Sequence, residues 1–295
     1  MKKWHCFFMD RKKKTIFLAV NADDLGRDAS VNAAIEKAHR AGILNSASIM
    51  AGGSVFEEAV GLARRLPGLS VGLHATFCDG RAVLPHSQIP GITDERGFFE
   101  KSPAKAGLRY WRQRKTLSGQ IEAEIEAQFD RLEEAGIRPS HVDSHHHLHA
   151  HPVLFRLLCR AADRRGVRWL RMPPGPLGPI RSFDEFFAWA ARGHEWAAFK
   201  ALGFFNARAA RAMGFHFFFS NTYGLSHTGR VCESYLLELM PHIKGPVAEV
   251  FLHPDLSTPG GATELAAVVS GKVKGFFAGP CGITLAGFKD IPDML

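Results

Sequence analysis

A chain of 295 residues has room for one large α/β domain with a sizeable core, and its 46% hydrophobic and 22% charged composition excludes a disordered or fibrous protein. No run approaches the ~18 apolar residues of a membrane span. The net charge of +8 favours anionic partners, but no nucleic-acid motif accompanies it, so no nucleic acid is expected.

Residues 1–14 read as a basic N-terminal extension, and 15–295 as a single domain. Thr15–Val20 is a buried strand that runs into Asn21-Ala-Asp-Asp24. Val31, Ile35 and Ala38 follow at helical spacing, and Gly42 is expected to be a left-handed cap. Ser46–Met50 is the next strand, and Ser54-Val-Phe-Glu57 has the form of a capping box. Ser70–Phe77 is a third strand. Ile121, Ile125, Phe129 and Leu132 mark one helix face, closed by Gly136. His141–His145 is a fourth strand; Val153 to Ala161 line a helix closed by Gly166; Val167–Met172 is a fifth strand. From about 181 to 220 the chain is rich in aromatic residues set among Arg and Lys, and is expected to be a helical insertion, opened by Ser182. Gly245–His253 reads as a further strand and Thr263–Val269 as a helix. Strands alternating with helices imply a parallel sheet, and a barrel-like one, since neither a GxGxxG nor a P-loop is present. Its active site should lie at the carboxyl ends of the strands.

Three of those ends carry unusual residues. Asp23 and Asp24 are adjacent carboxylates, costly to bury without a cation or positive partner. His74 ends Val71-Gly-Leu-His74. Asp143, His145 and His147 share one side of an extended Asp143–His151 run. Imidazole and carboxylate donors with open positions suit a catalytic divalent metal. Each feature also has a plainer reading: a hydrogen-bonded core histidine, a helix-capping turn, or an incidental histidine tract. What favours the metal site is that all three fall at carboxyl ends. His253, before Pro254, is placed to be a proton donor or a structural histidine at a turn. The five cysteines are odd in number and without a CxxC, which suits a reducing, cytoplasmic setting.

Val20-Asn-Ala-Asp-Asp-Leu-Gly26, Val71-Gly-Leu-His74, His141–His149 and Glu249–Pro254 together resemble the YdjC-like carbohydrate deacetylases. Gly107–Trp111, Ala123–Phe129, Gly224–Arg230 and Glu264–Val273 are most similar to the hopanoid-biosynthesis-associated, HpnK-type members. The resemblance implies a distorted (β/α) TIM-like barrel that removes the acetyl group from an N-acetylated sugar. It implies Asp24, His74 and His145 as metal ligands, Asp23 as catalytic base and His253 as acid. Arg171, with His147 and Asp143, is then expected at the substrate. The donor set suits Zn, while the resemblance also allows Mg. The substrate it points to is an N-acetylglucosaminyl hopanoid-type glycolipid, met in peripheral contact with an anionic membrane at the cytoplasmic face. A soluble chito-oligosaccharide is the alternative. Two further readings stay open: a His-x-His barrel phosphoesterase, and a non-catalytic glycan binder with a metal site. The aromatic segment is open too, as lid, membrane contact or core packing.

Overall fold

The computed structural model describes residues 15–172, 183–215, 220–278 and 282–291, with the side chains of 183–196 and of Ser226 outside that description. The expected N-terminal extension and the Ser182 cap lie outside the described residues, as do the side chains of Phe183, Phe186, Phe187, Trp189, Trp196 and Phe217–Phe219.

The elements run β1 (Ile16–Leu25), α1 (Ala29–Ala41), β2 (Ser46–Ile49), α2 (Phe56–Arg65), β3 (Ser70–Ala75), α3 (Pro103–Arg112), α4 (Arg114–Glu134), β4 (His141–Ser144), α5 (Pro152–Arg164), β5 (Trp169–Leu170), α6 (Phe183–Ala212), β6 (Asn221–Tyr223), α7 (Glu233–Leu239), β7 (Val247–Leu252), α8 (Pro259–Val269), α9 (Gly271–Phe277) and β8 (Ile283–Leu285). Among the described residues, every pairing between these strands is parallel. The order is β5-β4-β3-β2-β1-β7-β6, with β8 beside the first residues of β1. This is a distorted, TIM-like half-barrel: strand–helix alternation implied the barrel-like parallel sheet, and the family resemblance its distorted TIM-like form. Because all strands run the same way, all their carboxyl ends reach one rim.

Local chemistry explains most of the elements. Asp28 caps α1 by accepting from the Val31 amide, and Val31, Ala34, Ile35 and Ala38 form its buried stripe. Ser102 and Thr258 cap α3 and α8 in the same way, each followed by a proline in the first turn. Leu18, Leu25, Ile35, Ile49 and Leu73 are fully buried between sheet and helices, each contributing about 1.5–3 kcal/mol relative to exposure.

Four expectations are corrected. Gly42 is extended (φ −123°, ψ −152°), not left-handed. Its role is space: a Cβ there would stand 2.4 Å from the Val268 carbonyl oxygen of α8. Gly136 and Gly166, at φ +77° and +70°, do take the left-handed form. Ser54 does not cap α2, which begins at Phe56; its hydroxyl is spent on the Arg27 carbonyl at 2.5 Å. The fourth strand stops at Ser144, and the fifth is only two residues long.

Candidate active site

Consecutive side chains of a regular strand face opposite sides, so Asp23 and Asp24 should diverge. They do not, because β1 is irregular at its end. Its register with β2 shifts between Ala22 and Leu25, and Asp24 takes the left-handed φ of +68°. Both carboxylates therefore line the same cleft. His74 and Asp143 are register partners on β3 and β4, which explains their contact: His74 Nδ1 lies 2.7 Å from Asp143 Oδ1. After Ser144 the chain turns sharply, with His146 and His147 at φ +52° and +53°. The extended run expected to carry Asp143, His145 and His147 on one side is thus broken. Asp143 stays beneath, His145 turns to Asp24, and His147 packs on Phe251 at the cleft wall.

The result is a convergence on one oxygen. Asp24 Oδ1 lies 3.2 Å from His74 Nε2 and 2.9 Å from His145 Nδ1, while its Oδ2 accepts from Arg27 at 2.8 Å. Asp24, His74 and His145 form one grouping that could hold a metal ion. Asp24 Oδ1 and His74 Nε2 are buried without a hydrogen-bond partner, although the ligand-type atoms around them lie close. Unpaired buried polar atoms are costly unless something binds there. Asp143 engages Nδ1 of His74 and so directs Nε2 toward the shared centre, the arrangement that orients metal-ligating histidines. Burial lowers the His74 pKa, but Asp143 and Asp24 outweigh it and push it up to about 10. Burial likewise raises Asp24, and His145 and His74 overturn that, holding it well below the usual carboxylate range. Both shifts describe a centre that favours positive charge between these groups, and the residues fit a divalent cation.

Below it lies a buried ionic cluster. The guanidinium of Arg171 grips Asp23 with two hydrogen bonds of 2.7 Å, reaches Asp143 at 2.7 Å, and donates to Glu249 through Nε at 2.9 Å. It stacks over the Phe251 ring at 4.7 Å. Arg171 is 2% exposed and Asp143 is 0% exposed, and neither lines the cleft. Where substrate contact was expected of them, Arg171 holds Asp23 and Asp143 holds His74. His147 does line the cleft, with an unpartnered Nδ1 and a pKa held well below its usual value, by burial first and then by Arg171. His253 lies across from Asp23, its Nε2 3.8 Å from Oδ2, and its backbone amide is held by Glu264.

Four further residues belong to this site. Glu249 is a lone charge in an apolar strand, on the same face as Phe251 and His253 by period two, and that pattern could have exposed it. Ser48 sits 3.1 Å from His74 Nδ1. Asp79 and His146 form with His145 a second, more exposed grouping of ligand-type atoms. All of this opens into a cleft of about 1150 Å³, walled by Pro103, Ala104, Gly107, Leu148, Phe199 and Leu202 besides the polar centre.

A family model described as YdjC-like protein matches residues 17–278. A carbohydrate deacetylase of Brevibacillus brevis is 38% identical over 150 residues, covering 51% of this chain and 57% of that protein. One from Geobacillus stearothermophilus is 35% identical over 177 residues, covering 58% and 66%. A chitooligosaccharide deacetylase of an Enterobacter species is 37% identical over 154 residues, covering 51% and 57%. The chain thus spans between about half and two thirds of the length of these curated relatives. Among solved structures, a candidate cellobiose-phosphate cleavage protein from Enterococcus faecalis superposes with a TM-score of 0.70 at 22% identity, over 93% of this chain and 98% of its own, which establishes the shared fold.

Proposed function

Because the chain belongs to the YdjC-like protein family, we propose that it hydrolyses the acetamide of an N-acetylated amino sugar, with a divalent cation held by Asp24, His74 and His145. The observation that carries this reading is the convergence of three ligand atoms beside a separate carboxylate, Asp23, at the mouth of a large cleft. When bound, the cation would supply Lewis acidity to the amide carbonyl and acidify water.

The chain's own residues do the rest. Asp23 faces the cleft and takes the proton of the attacking water. Its orientation is set by Arg171, which holds both carboxylate oxygens from behind. His253 stands opposite and gives a proton to the departing nitrogen. The carbonyl carbon gains the water oxygen, the C–N bond breaks, and acetate and a free amine leave. His147 and the Phe199 ring shape the wall against which the sugar rests. Two imidazoles and a carboxylate suit Zn, and Mg is the alternative.

The size of the cleft bears on the substrate. At about 1150 Å³ it is at or beyond the upper end of small-molecule sites, too roomy for one monosaccharide. We read the substrate as an N-acetylglucosaminyl glycolipid of the hopanoid type, handled at the cytoplasmic face of a membrane. The second reading, a soluble chito-oligosaccharide, is favoured by the chitooligosaccharide deacetylase relative.

The test is mass spectrometry of both substrate classes before and after incubation, paired with metal analysis of the purified protein. Loss of one acetyl mass with release of acetate is expected, and His74→Ala and His145→Ala should each lose the metal and the activity. Release of phosphate instead, or full metal content in either variant, would overturn the assignment.

A further inference from the structure

The large apolar residues that are most exposed are not scattered. Phe98, Leu108, Trp111, Phe204, Phe205 and Leu256 make up that set among the described residues. Four of them lie on α3 and α6, the two helices that contribute Pro103, Ala104, Gly107, Ala198, Phe199 and Leu202 to the cleft. The helical repeat ties the two facts together. Residues at i, i+4 and i+7 share a face. On α3, cleft-lining Ala104 is followed on its face by Leu108 and Trp111, which are 58% and 48% exposed. On α6, cleft-lining Ala198 and Leu202 are followed by Phe205, 64% exposed, with Phe204 packed edge-on beside it. On each helix, then, one apolar stripe begins in the cleft and continues out onto the surface.

Along the sequence segments that carry these stripes, the charges have one sign. From 101 to 121 the chain carries Lys101, Lys105, Arg109, Arg112, Arg114 and Lys115 and not one Asp or Glu. From 197 to 215 it carries Lys200, Arg208 and Arg211, again with no acid. Arg114 lies over the Trp111 ring at 5.0 Å, a cation set on an amphipathic aromatic body. A protein partner would usually meet mixed charge, and a soluble sugar has no use for exposed Leu and Phe outside the cleft. Aromatic and aliphatic side chains flanked only by Lys and Arg are what an interfacial segment needs, with the apolar parts in the acyl boundary and the cations among anionic headgroups.

We infer that α3 and the second half of α6 form a docking surface for an anionic lipid bilayer, which sets the cleft mouth against the membrane. The apolar stripes then give a continuous path from bilayer to cleft for the lipid part of a membrane-held substrate. This rests on the reading of the cleft as the deacetylation site, and the experiment separates the two. The full chain, with its metal, is sedimented with phosphatidylcholine vesicles with and without phosphatidylglycerol, at low and high salt. In parallel, deacetylation of a soluble chitin dimer is followed. Binding is expected only with phosphatidylglycerol, and to fall steeply with salt. Trp111→Ser with Leu108→Ser, Phe204→Ser with Phe205→Ser, and the charge reversal Lys105→Glu with Arg112→Glu and Lys115→Glu should each weaken it roughly tenfold or more. Turnover of the chitin dimer should stay within about twofold of wild type. No vesicle binding, binding that the three variants leave intact, or binding of nucleic acid in place of vesicles overturns the docking surface and leaves the enzyme assignment standing. Vesicle binding without any deacetylation does the reverse.

Discussion

Replacing Arg171 by Met should unfold this protein more than it should weaken its grip on substrate. The guanidinium is the cation for Asp23, Asp143 and Glu249 at contacts of 2.7–2.9 Å, and all four groups are buried. Removing one partner of a buried ion pair costs about 3–5 kcal/mol, because the other charge is left uncompensated. Here three carboxylates are left, so the upper part of that range applies. Since 1 kcal/mol moves the melting temperature of a domain approaching this size by roughly 2–4 °C, a fall of about 8–20 °C is expected. The assay is differential scanning calorimetry, with KM measured in parallel. Arg171→Met combined with Glu249→Gln should recover part of the loss, as one buried negative charge is withdrawn. A variant that melts within about 2 °C of wild type, yet has a raised KM, would refute the buried-scaffold argument and return Arg171 to the substrate.

Asp23→Asn keeps the hydrogen-bonding shape and removes the base; metal content should be unchanged and turnover should drop about 10²–10⁴-fold, so wild-type turnover would move the base elsewhere. His141 is buried against Phe288, and burial lowers its pKa to about 4, with Asp143 and Asp23 opposing and Arg171 and His74 assisting. The unfolded chain, with an ordinary histidine, takes up the proton first. This contribution to stability is therefore complete above about pH 6.5 and drains away as pH falls toward 4. Urea denaturation should show wild type losing about 2 kcal/mol more than His141→Phe between neutral pH and about pH 5; equal losses would count against a neutral buried ring. Gly42→Ala places a Cβ against the Val268 carbonyl at 2.4 Å and should cost about 1–3 kcal/mol in the same assay, whereas a left-handed cap would have been the explanation only if φ were positive.

Much of the site was legible because strand ends are a strong positional signal. Asp23, Asp24 and His74 follow or end an apolar run, His145 follows the short fourth strand, and the parallel topology brings such ends to one rim. What was not legible depended on local backbone. No spacing rule announces the left-handed φ of Asp24, which puts adjacent carboxylates on one side, nor the turn at His146 and His147 that separates His145 from His147. The surroundings of Arg171 were hidden for a related reason: only the three-dimensional meeting of β1, β4 and β7 beneath it supplies the carboxylates that bury it. Glu124 shows the same limit: it lies on the helix α4, and its carboxylate holds the Val83 and Leu84 amides, a clamp on the loop before Phe98 that no local pattern reveals.

The proposed ligand atoms come from positions 24, 74 and 145, and Asp23 is braced by a residue at 171 and another through it at 249. No fragment of the chain contains the site. It exists only after β1 has been flanked by β2 and β7, which lie on either side of it in the sheet but about two hundred residues from one another along the chain. On the proposed reading, cation affinity is a property of the completed sheet: the folded state would bind and the unfolded chain has no matching cradle, so mass action would convert cation concentration into global stability. Amides at the centre of β1, which should exchange only through whole-domain opening, are where that coupling would be read.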